Sequence, residues 1–216
     1  MTTSLTEYFQ SALQQLGPQS WWPGETPFEI CVGAILTQNT NWTNVEKAIA
    51  NLKSHELLDP HRLWALPDLE LAQLIRPAGY FNIKTKRLKN FLQFLLENYQ
   101  GDLTQMFAER LEPLREKLLS VKGIGPETAD SILLYAAQKP IFVVDTYTKR
   151  IFTRHQVISE EADYHEIQDH FMRHLPDDTQ TYNEFHALIV NVGKHWCKPK
   201  PDCEHCPWRG YLPDLK

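Results

Sequence analysis

The 216-residue chain has little of what would place it outside the ordinary globular classes. No apolar run approaches the ~20 residues that span a bilayer, which excludes a helical membrane protein. Four cysteines are too few, and three of them too close together, for a disulfide scaffold. Positive charge is in short supply, with 22 Lys and Arg against 27 Asp and Glu for a net charge of -5. A polyanion partner would then need the cations gathered on one face. Residues 1–10 lack the basic segment and apolar stretch of a secretion leader, and the expectation is a soluble, cytoplasmic protein. Strand signals are scarce, and internal repeats and low-complexity linkers are missing. What remains, 42% hydrophobic and 23% charged residues, is enough to build a core.

Helical spacing dominates what is there. Leu5, Tyr8, Phe9, Ala12, Leu13 and Leu16 form a stripe that Gly17-Pro18 stops. Residues 28–38 are apolar nearly all round, as a helix inside a core is. Further helices are expected over 42–54, 69–75, 84–99, 113–120, 126–137, 146–154, 163–174 and 180–193. The one strand-like stretch, Ile141 to Val144, is too short to seed a sheet and reads as an extended connector. The fold class is therefore all-α.

Between residues 113–120 and 126–137 lies the turn Val121-Lys122-Gly123-Ile124-Gly125, with Pro126 where a new helix should begin. Glycines leave backbone N–H groups uncovered, and Ile124 can plug into the core. Such a turn can grip a DNA phosphate without reading sequence, although a plain helix–helix corner would look the same. After one helix and the connector come Val144-Asp145-Thr146. This order resembles the helix-hairpin-helix DNA glycosylase superfamily, and the similarity to endonuclease III relatives extends over residues 20 to 206. Trp21-Trp22-Pro23, followed by Phe28-Glu29 and Gly33-Ala34-Ile35-Leu36-Thr37-Gln38-Asn39-Thr40, is most similar to the 3-methyladenine DNA glycosylase III branch.

The resemblance implies two helical domains: a barrel over 21–134 with the hairpin at 113–137, and a second formed by 1–20 plus 135–216. It implies that Asp145 is the catalytic carboxylate, although Asp is also a favoured helix cap. Members that cleave the strand attack the sugar with a Lys two residues past the second hairpin glycine. Here that position is Glu127, and a carboxylate forms no Schiff base. The expected enzyme is thus a monofunctional base-excision-repair glycosylase, with alkylated purines such as 3-methyladenine as substrate. Trp21 and Trp42 would sandwich the flipped base, with Trp22 lining the pocket, unless these tryptophans are ordinary core. Gln38 would fill the gap in the duplex and Tyr80 would serve as a second wedge. Lys122, Gly123 and Gly125, with Lys84, Lys86 and Arg87 from a basic run that ends in Lys89, would meet phosphates. Lys149 and Arg150 add positive charge after Asp145, although charge runs are usually solvated faces.

The tail carries Cys197, Cys203 and Cys206 within residues 197–206. It resembles the loop in which four Cys hold a [4Fe–4S] cluster in endonuclease III. The first gap is five residues, one shorter than that pattern, and the place of the fourth Cys is Leu212. A cluster with a non-Cys ligand, zinc completed by His195 or His205, and no metal all remain open. Cys31 reads as buried packing. The expected partner is double-stranded DNA containing damaged bases, bound by a monomer with no obligate protein partner. Other lesions or mismatches, or a non-catalytic DNA-binding module, are the rival readings.

Overall fold

The computed structural model describes residues 3–19, 21 and 24–212; Trp22, expected to line the base pocket, lies outside them. The described residues contain no β-strand, and the fold is all-α. Its α-helices are α1 (Leu5–Leu16), α2 (Pro27–Leu36), α3 (Trp42–Ser54), α4 (Pro60–Ala65), α5 (Asp68–Leu74), α6 (Phe81–Tyr99), α7 (Leu103–Phe107), α8 (Leu111–Ser120), α9 (Pro126–Ser131), α10 (Thr146–Arg154), α11 (Tyr164–His174) and α12 (Thr179–His195). No described helix is long and apolar enough to cross a membrane.

Caps explain most of the boundaries. Ser4 and Glu7 form a reciprocal capping box at the start of α1, and Asp163 and Glu166 do the same for α11. Thr26 caps α2, whose first residue is Pro27, and nearly every residue of α2 is buried. α9 runs on into a π-turn over Ile132–Ala136, all five residues of which are buried. The expected helix over 126–137 is therefore an α-turn followed by a wider one, a common irregularity near functional sites.

The chain divides into two compact units, Trp22–Lys139 and Met1–Trp21 with Pro140–Lys216. In the contiguous unit, α2 packs against the π-turn, α3, α6 and α9. In the other, α12 packs on α10 and α1, around Phe142, Phe152, Phe171 and Phe185. The Ile141–Val144 stretch is an extended, buried connector, as its sequence suggested. Gln168 Nε2 donates to Phe142 O at 2.7 Å and the Val144 amide donates to Tyr164 Oη at 3.4 Å, so the segment needs no neighbouring strand.

Candidate active site

The hairpin turn is exposed at Lys122, Gly123 and Gly125, while Ile124 is buried beneath it. Gly123 has φ 98°, and a Cβ there would lie 2.5 Å from Arg87 Cγ, so two independent reasons require glycine. Asn90 Nδ2 donates to Lys122 O at 2.8 Å and Gln38 Nε2 donates to Gly123 O at 3.0 Å. The turn thus has two of its carbonyls held by the protein. Gln38 also donates to Thr128 Oγ1 at 2.9 Å and accepts from Arg87 Nη1. Arg115 grips the wholly buried Asp130 through Nε at 2.6 Å and Nη2 at 3.0 Å, which clamps α8 to α9.

The basic run expected to meet phosphates divides by role. Lys84 is 1% exposed, and its Nζ donates to Leu36 O at 2.8 Å and Ala78 O at 2.7 Å. Its expected phosphate contact is therefore corrected: Lys84 closes the carbonyl end of α2 from inside the core. Burial, with the nearby Arg87 charge, pulls its ammonium down to about 8. Lys89 likewise donates to Leu63, Trp64 and Leu66 carbonyls at the end of α4. Arg87 is half-buried on Gly123, and Lys86 is exposed. Beyond Asp145, Lys149 donates to Ala162 O, and Arg150 to Cys197 O and Gly193 O. Periodicity cannot separate a lysine that points at carbonyls from one that points at water.

Tyr80, the expected wedge, is 67% exposed and sits at φ 47° immediately before α6. A left-handed aromatic residue stores strain, a feature that clusters at functional positions. Trp42 opens α3 and lies 3.4 Å from where a Gly33 Cβ would stand, so the small residue lets the indole rest on α2. The other surroundings of Trp42 form an open cleft of about 570 Å³ bordered by Glu25, Glu29, Glu46 and Lys53. Lys53 pairs with Glu25 and Glu29, each at 3.0 Å.

Asp145 is the N-cap of α10. Its Oδ1 accepts from the Thr148 amide at 2.7 Å and from Thr148 Oγ1 at 2.8 Å. Its Oδ2 lies 3.6 Å from His186 Nε2 on α12. Burial pushes the carboxyl up, but His186 and the two Thr148 donors outweigh it and hold Asp145 below the ordinary carboxylate value. The group is thus nearly buried and still ionised at neutral pH. Trp21 stacks on His186 with ring centroids 5.7 Å apart and planes 17° from parallel. The structure therefore brings Trp21 and Asp145 to the same histidine. Sequence reading missed His186, because nothing local on its helix marks it out.

The tail is anchored by protein contacts. Trp208 is fully buried and donates from Nε1 to Tyr8 O at 2.8 Å. Arg154 donates to Cys197 Sγ at 3.2 Å, to Lys198 O at 2.7 Å and to Pro199 O at 3.2 Å. Burial raises the Cys206 thiol, and the neighbouring Cys197 and Cys203 raise it further. Among the described residues no three His, Cys, Asp or Glu side chains form a group able to hold a metal. Leu212 offers no fourth ligand, and an arginine already occupies Cys197 Sγ. The three thiols do not fit a four-ligand cluster or a four-ligand zinc site.

The model of the HhH-GPD superfamily base excision DNA repair proteins matches residues 32–177. The protein named "Putative DNA repair glycosylase MJ1434" of Methanocaldococcus jannaschii is 50% identical over 201 residues, spanning 92% of this chain and 91% of that one. Endonuclease III of Thermotoga maritima is 29% identical over 181 residues, 83% of this chain and 79% of that one. The crystal structure of the H. pylori 3-methyladenine DNA glycosylase bound to 1,N6-ethenoadenine superposes with a TM-score of 0.77 at 32% identity, over 89% of this chain and 98% of that one. A non-covalent endonuclease III–DNA complex gives 0.83 at 22% identity over 98% and 96%, a likeness of fold.

Proposed function

Since this chain belongs to the HhH-GPD superfamily of base excision DNA repair proteins, we propose that it is a monofunctional DNA glycosylase that removes damaged bases from duplex DNA, alkylated purines of the 3-methyladenine kind foremost. Asp145 carries the reading: a nearly buried carboxylate, held ionised at a helix N-terminus by Thr148 and His186. In the proposed reaction the C1′–N bond breaks, its electron pair leaves with the base, and positive charge grows on the sugar. Ionised Asp145 stabilises that charge and accepts the proton of the water that adds to C1′. The products are a free base and an abasic site in an uncut strand.

Glu127 supports the absence of strand cleavage, because it stands where the family's strand-cleaving members carry the nucleophilic lysine. Trp21 and Trp42 each offer an indole face to an extrahelical base, and a cationic alkylated ring suits a π-face. Glu25, Glu29 and Glu46 beside Trp42 outnumber Lys53, so that cleft favours a cation over a neutral ring. The exposed hairpin turn with Lys122, and Lys86 on α6, would hold phosphates, while Tyr80 enters the duplex and Gln38 leaves the hairpin to fill the gap. A metal in the tail would need a fourth ligand beyond Cys197, Cys203 and Cys206, and the proposed reaction uses none.

The test is incubation with DNA carrying radiolabelled methyl groups. Free 3-methyladenine is expected, with the strand intact until alkali is added and no adduct trapped by borohydride. Release of no methylated base would overturn the substrate class, and a trapped adduct would overturn monofunctional chemistry.

A further inference from the structure

His186 lies within one compact unit and touches both Trp21 and Asp145, whose ionised form it favours. Its side chain is 6% exposed, and Phe142 packs edge-on against its ring at 6.4 Å and 90°. Trp21 covers a face of the ring, so the imidazole has little freedom to turn. Its Nε2 lies near Asp145 Oδ2, the oxygen that Thr148 does not use. At 3.6 Å this is longer than a hydrogen bond. Catalytic contacts of this sort are often loose without substrate and tighten with it. A flat ring stacked behind an indole and a ring nitrogen facing a carboxylate are two separate functions, and one histidine combines them here.

We infer that His186 is a positioning residue for base release, which orients Asp145 Oδ2 through Nε2 and fixes the plane of Trp21 by stacking on it. The inference rests on the glycosylase reading above and adds a coupling to it. A base pressing on Trp21 presses through the stack on the ring that directs the carboxylate. Capture of the base and aim of the catalytic oxygen are thereby linked through one side chain.

Two substitutions separate the functions. His186→Phe keeps a flat ring and removes the donor; His186→Gln keeps an N–H donor and removes the aromatic face. Under single turnover on methylated DNA, H186F is expected to release base at least ~10-fold more slowly at saturating enzyme, with half-saturation within about twofold of wild type. H186Q is expected to recover most of the rate while half-saturation rises several-fold, because an aromatic stack is lost. A wild-type rate in a folded H186F would overturn the assignment. Equal slowing in both variants would also overturn it, since ring packing alone would then explain the effect. A third measurement does not depend on catalysis or on either variant folding: the imidazole 15N resonances of His186 compared between wild type and Asp145→Asn. Movement of Nε2 supports the contact and its absence refutes it. Wild-type protein that releases no base, yet shows this movement, would reject the glycosylase reading while leaving the His186–Asp145 contact standing.

Discussion

Lys84 and Asp145 are both charged groups taken out of water, and pH reaches them from opposite sides. Asp145 lies below its ordinary value, so its contribution to stability is present above about pH 4 and disappears as pH falls through the folded value. Asp145→Asn should therefore be less stable than wild type at pH 7, with melting curves that converge below pH 4. In the glycosylase reading the same variant loses about 10²–10⁴-fold in base release while it still binds DNA. Lys84 is lowered from 10.5 to about 8, so between those values the unfolded chain binds more protons and wild type gains stability with rising pH. Denaturation of wild type and Lys84→Met at pH 8 and pH 10 should show the advantage of wild type widening. Tyr8, pushed up to about 12 by burial, works in the other direction only above pH 10. Asp145 was legible in the sequence because it follows the hairpin in a fixed order along the chain. His186 was not, because its significance comes from pairing with residues far away in sequence, and helical periodicity says only that it sits on α12.

At the scale of elements, long amphipathic helices declared themselves and short ones did not. α4 and α7 have six and five residues, too few for a repeat of 3.6 to register. α6 begins at Phe81, three residues ahead of its expected start, because a left-handed Tyr80 gave no sequence signal. Close approach of elements leaves equally little trace in the sequence. A Cβ at Gly193 of α12 would lie 2.3 Å from Tyr147 of α10. Gly193→Ala is accordingly expected to cost about 1–3 kcal/mol in urea denaturation through overpacking. The tail makes a further case. With Trp208 buried and Arg154 across the loop, Trp208→Ala should cost about 3–5 kcal/mol. Cys206→Ser should melt close to wild type, and a large loss on that exchange, or stoichiometric iron or zinc in the purified protein, would overturn the protein-anchored account of the loop.

For the whole molecule, a net charge of -5 sets the terms of any encounter with DNA. Lys84, Lys89, Lys149 and Arg150 are committed to carbonyls, so the phosphates must be met by other members of the basic set. Lys86→Ala and Lys122→Ala should each reduce the salt dependence of DNA binding by about one unit of slope. Lys84→Met should leave that slope unchanged. The division into units also has a temporal consequence. The unit spanning Trp22–Lys139 is one uninterrupted stretch, whereas its companion is assembled from both ends of the chain. Trp208 finds its acceptor, Tyr8, 200 positions away. On a ribosome that adds roughly 5–20 residues per second, α1 precedes α10, α11 and α12 by about six to a few tens of seconds. Its apolar stripe is exposed to chaperones for all of that interval, while the middle of the chain can already have folded.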